Sequence, residues 1–178
     1  MRATLRCARA LLIVGLVISL VMGCSSSQGP DEIVALIDNI VGNCEGTLGK
    51  LSEEKKQFAS DGNMRGEQRM KMAATRAKVI KNKSLSVKRQ IDPSGKAGAL
   101  MSSALADSPV SPQKAQAEMQ EKLKGIQDAM NALEGNVAAA EKCCGLAPNF
   151  LAKNLRTLRV QTSDLEVQVG EFMDHQYA

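Results

Sequence analysis

Between Met119 and Cys144 apolar residues recur at alternating steps of four and three: Met119, Leu123, Ile126, Met130, Leu133, Val137, Ala140 and Cys144, without a miss. A period of 3.5 residues keeps one seam of an α-helix turned toward a neighbour for about seven turns, so this stretch must be helical and must have a helical partner. The seam ends where a helix should: Gly145 suits the left-handed C-cap and Pro148 follows. It resumes near Asn149 as Leu151, Leu155, Leu158, Thr162, Leu165, Val169 and Phe172, broken only by Thr162. A connection of about five residues makes the two stretches antiparallel neighbours, an αα-hairpin roughly 35 to 48 Å long. This hairpin is expected to be the core on which the rest of the chain packs.

The first half carries two more stripes. Asp31 can cap a helix with Ile33, Ile37, Ile40, Cys44, Leu51 and Phe58 on one side and Val34, Val41 and Leu48 beside them. Gly42, Gly46 and Gly49 interrupt it at steps of four and three. Each costs up to about 1 kcal/mol in a helix interior, so they either loosen the helix or mark a face for close backbone packing. Ser60 to Gly66 reads as a turn around Asp61, Gly62 and Asn63. A second stripe of Ala73, Ala77, Ile80, Val87 and Ile91 predicts a helix from about 64 to 90. Residues 92–113 are expected to form a linker that Pro109 and Pro112 prevent from being one helix, and its apolar patch Leu100 to Leu105 either covers a bundle end, the favoured reading, or is a partner's contact point. Trp is absent and only Tyr177, Phe58, Phe150 and Phe172 are aromatic, while residues that lose little on entering a helix dominate. The expected fold is all-α: an antiparallel bundle of about four helices in a single domain, 31–178, built on the long αα-hairpin.

The start of the chain is of another kind. Arg2, Arg6 and Arg9 precede an apolar run from Leu11 to Met22, and Gly23, Cys24 and three serines follow. A basic head, an apolar run too short to span a bilayer and a small residue at the cut are the parts of a cleaved secretory signal, here 1–23. Val21-Met22-Gly23-Cys24 resembles the lipobox of bacterial lipoproteins. That resemblance, confined to the first 24 or so residues, implies cleavage before Cys24 and a diacylglyceryl group on its sulfur, usually with a further acyl chain such as palmitate on the new amino group. Each buried methylene adds about 0.8 kcal/mol, so two or three chains anchor stably. Residues 24–30 would then be a lipidated tether, and Ser25 in place of Asp implies the outer membrane where a host has one. The expected location is the bacterial cell envelope, on the periplasmic or the surface side.

Charge is unevenly spread. The signal takes away three arginines and no acid, so the formal charge falls from +4 to +1. Residues 62–91 hold Arg65, Arg69, Lys71, Arg76, Lys78, Lys81, Lys83, Lys88 and Arg89 against Glu67 alone, a local charge of +8. Such a helix can bind anionic lipid or an envelope polymer, or it can be a solvated face paired with the acidic remainder of the bundle. The near-neutral total favours pairing. Nucleic acid is not expected as a partner, because export separates the protein from it and no aromatics interleave with the cations.

Little here points to catalysis. His175 is the only histidine, no Cys-x-x-Cys, phosphate loop or nucleophile elbow occurs, and no cofactor or metal site is implied. Once Cys24 is lipidated, Cys44, Cys143 and Cys144 remain in a compartment that permits disulfides. A bridge from Cys44 to Cys143 or Cys144 would close a loop of about a hundred residues and add roughly 4 kcal/mol. The function expected is therefore non-catalytic. The chain is read as a membrane-anchored interaction or assembly protein with a protein partner or self-association, and as an alternative the basic helix binds anionic lipid or polymer directly.

Overall fold

The computed structural model describes residues 29–92 and 112–177. The signal, Cys24, most of the tether and the Leu100 to Leu105 patch lie outside the described residues.

Four helices account for almost all of what is described: α1, Pro30–Ser60; α2, Met64–Ile91; α3, Pro112–Cys143; and α4, Ala152–Tyr177. The protein is an all-α, four-helix antiparallel bundle, as the seams predict. Gly29, not Asp31, is the N-cap of α1, with Pro30 at the first helical position and Asp31 and Glu32 in the first turn, where carboxylates favour the helix dipole. The helix runs through Gly42, Gly46 and Gly49 without a break. It stops at Asp61, and Gly62 turns the chain with φ 69°. Asn63 then serves two elements at once. Its Oδ1 accepts the Gly66 N–H at 2.9 Å, capping α2, while its Nδ2 donates to the Cys144 carbonyl at 2.8 Å, tying the turn to the end of α3.

Side-chain pairings give the arrangement. Lys88 meets Asp38 and Lys81 meets Glu45 between α1 and α2, Arg69 reaches Asn136 between α2 and α3, and Gln127 reaches Thr162 between α3 and α4. Asn43 to Gln161 and Lys50 to Asn154 close the ring between α1 and α4. Every adjacent pair is antiparallel, an up-down-up-down bundle.

All eight seam residues of α3 are buried, and so are all six of the stripe predicted for α1. The α4 seam is met at Leu151, Leu158, Thr162, Leu165 and Val169, but Leu155 and Phe172 are only partly buried and Met173 takes the last place. Thr162 is a seam residue and no break: its hydroxyl donates to the Arg159 carbonyl at 3.1 Å, which satisfies it inside the core. The α3–α4 hairpin was expected to be the core on which the other helices pack, and the core is in fact shared by all four helices. Close backbone approaches are concentrated between α1 and α2 and between α2 and α3, and among neighbouring helices they are fewest between α3 and α4. The cause is side-chain size, since α2 offers Gly66, Ala73, Ala77 and Ser84 to its neighbours where α4 offers mainly leucine.

Candidate functional site: a cationic cleft between α1 and α2

Among the described residues no three His, Cys, Asp or Glu side chains are grouped to hold a metal, and no helix is long and apolar enough to cross a membrane. The chemistry of the surface is set by α2. Of its nine cations, two lie against α3, four lie on the side of α1, and Arg65, Arg76 and Arg89 are exposed on neither. Arg69 leans toward α3, donating to Asn136 at 3.4 Å, and Lys83 lies across Gly125 so closely that a Cβ there would fall 2.5 Å from its Cε. Lys83 in turn acts on Lys122 of α3, whose ammonium is held below its usual pKa, first by burial and, among nearby charges, by Lys83.

On the other side α2 runs against α1 in a repeating ladder. Lys88 bonds both oxygens of Asp38 at 2.6 and 2.7 Å, and seven residues on, Lys81 bonds Glu45 at 2.6 Å. Another seven residues place Ser52 of α1 opposite Ala74 of α2, so the rung carries no charge on either side. Small residues at that rung leave a half-open cleft of about 560 Å³, lined among others by Leu48, Gly49, Ser52, Lys55, Lys71 and Lys78. Lys55 reaches Glu67 at 3.7 Å. Lys71 and Lys78, both exposed, have no carboxylate within 4 Å among the described residues.

Sequence reasoning named Lys71 and Lys78 among nine equivalent cations but missed Lys55 and Ser52, which belong to α1. The signal that could have found them is the heptad step from Asp38 to Glu45 to Ser52. Of the other cations, Arg65, Arg76 and Arg89 are exposed outside the cleft, and Lys81 and Lys88 are the ones that pair with acidic neighbours as the neutral total suggested.

The cysteine expectation is corrected. Cys143 is joined to Cys144, and Cys44 is a free thiol, fully buried on α1. The Cys144 carbonyl sits at the Asn63 turn, whereas Cys44 is sixteen residues before the end of α1, about 24 Å along the axis. A disulfide needs Cα atoms within about 7 Å. Burial pushes the Cys44 thiol up to about 12, against a smaller lowering by Lys81, so it is a core residue and not a nucleophile.

No family model, curated protein or solved structure matches the chain.

Proposed function

We propose that this chain is the precursor of a bacterial envelope lipoprotein, anchored through Cys24 and acting as a non-catalytic interaction or assembly protein. The observation that carries the anchoring is the order of basic head, apolar run, Gly23 and Cys24. The interaction reading is supported by the outer side of α1. Gly42, Gly46 and Gly49 are exposed there, and a Cβ added at any of them would meet nothing within 4 Å. Three glycines that weaken a helix and meet no neighbour among the described residues, Gly49 lying where this side borders the cleft, leave a face on which another backbone could come close.

Photo-crosslinking in the native envelope tests this. A photoreactive side chain at Gly46 is expected to give one discrete adduct that is lost when Cys24→Ser releases the protein from the membrane. Adducts of the same pattern from Gly46 and from Val160, exposed on α4, would contradict a specific face.

A second reading is favoured by one observation, that Lys71 and Lys78 of the cleft meet no carboxylate among the described residues. In it the basic helix binds an anionic lipid or envelope polymer directly.

A further inference from the structure

We propose that the cleft between α1 and α2 binds a phosphate group, with Lys55, Lys71 and Lys78 supplying the charge and Ser52 a hydroxyl donor. The inference rests on the second reading above and narrows it from a whole basic helix to one site. Three observations carry it. The ion-pair ladder of Asp38 to Lys88 and Glu45 to Lys81 lapses at Ser52 and Ala74, so the register that elsewhere neutralises α2 opens a cavity there. The lysines bordering that cavity exceed the acids, with Glu67 the one carboxylate reaching them among the described residues, on Lys55 at 3.7 Å. The volume, about 560 Å³, lies within the range of small-ligand sites.

The donor set selects phosphate. Ammonium groups act as point charges that suit a compact dianion, while the guanidinium forks that grip planar carboxylates are absent from the lining. Thr75 donates its hydroxyl to the Lys71 carbonyl at 3.0 Å, which leaves Ser52 as the hydroxyl free to donate. Leu48, Leu51 and Ala74 form an apolar wall beside the cations, so a ligand with a phosphate and an adjoining apolar part fits better than a bare ion.

The chain from Ser25 onward serves for the test, because every buried side chain of the described bundle lies between Ile33 and Met173. Binding is read by titrating inorganic phosphate against amide chemical shifts, and by co-flotation with phosphatidylglycerol vesicles against phosphatidylcholine ones. Lys71→Gln with Lys78→Gln is expected to weaken phosphate-dependent binding at least tenfold. Lys124→Gln with Lys142→Gln removes the same charge from α3 and is expected to change it less than twofold. Far-ultraviolet circular dichroism of each variant establishes that the bundle is intact. Binding of inorganic phosphate without vesicles identifies a small phosphorylated ligand, and site-dependent flotation identifies a lipid headgroup; either supports the site. Equal weakening by both double variants overturns it. Vesicle binding that survives Lys71→Gln with Lys78→Gln but is lost in Arg65→Gln, Arg76→Gln and Arg89→Gln together overturns the cleft while keeping the basic-helix reading. Absence of binding to either probe overturns both.

Discussion

Two residues show how closely local chemistry is set in this bundle. Gly66 lies under the Phe58 ring, and a Cβ there would come 2.7 Å from ring carbons at the root of a side chain that is itself buried. The new methyl group would have to displace a buried ring beside a backbone held by the Asn63 cap, so Gly66→Ala is expected to cost about 1 to 3 kcal/mol in urea unfolding. Ser84 is fully buried and its hydroxyl has no partner among the described residues. Ser84→Ala should therefore stabilise the fold by about 1 kcal/mol. Cys44 makes a pH prediction whose sign follows from its protonated thiol. Burial raises its folded pKa from 9.0 to about 12, so the folded state holds the proton more tightly than the unfolded chain. That contribution is fully present below pH 9 and is lost as pH rises toward 12. The stability of the wild type relative to Cys44→Ala should fall across that window and be flat below it.

At the level of the helices, the seam of α3 was legible in full because its residues are large and aliphatic and its period is unbroken. The stripe of α2 was legible only in part. Met70 and Ser84 belong to it but were passed over, one beside a run of charge and the other polar. Its small residues gave no hint that α2, not the terminal hairpin, sits at the closest packing. Thr47 of α1 is likewise a core residue that polarity concealed, its hydroxyl donating to the Asn43 carbonyl at 2.8 Å. The charges of α2 could be counted from sequence but not assigned, because whether a lysine is paired depends on the register of α1 against α2. Lys71 and Lys78 flank the uncharged rung of Ser52 and Ala74, whereas Lys81 and Lys88 each stand opposite a carboxylate. The glycines of α1 give a direct test at this scale. Gly42→Ala, Gly46→Ala and Gly49→Ala meet open space and helical backbone, so together they should stabilise the bundle by about 1.5 to 3 kcal/mol. Destabilisation would mean that the face is already in use within the chain.

For the molecule as a whole, the four stripes close on one another, and a core of aliphatic side chains from all four helices sits inside a single chain. A bundle of this kind needs no membrane segment of its own, and the described helices include none. Under the proposed function, location would come from Cys24 and recognition from the outer faces of α1 and α2. The most direct test is the intact mass of the protein extracted from the membrane of a bacterium expressing the full chain. The mass expected is that of a chain beginning at Cys24 and carrying a diacylglyceryl group with a further acyl chain, and Cys24→Ser is expected to abolish both the added mass and the membrane association. A chain that keeps residues 1–23, or one cut elsewhere with an unmodified Cys24, would contradict the proposed anchoring.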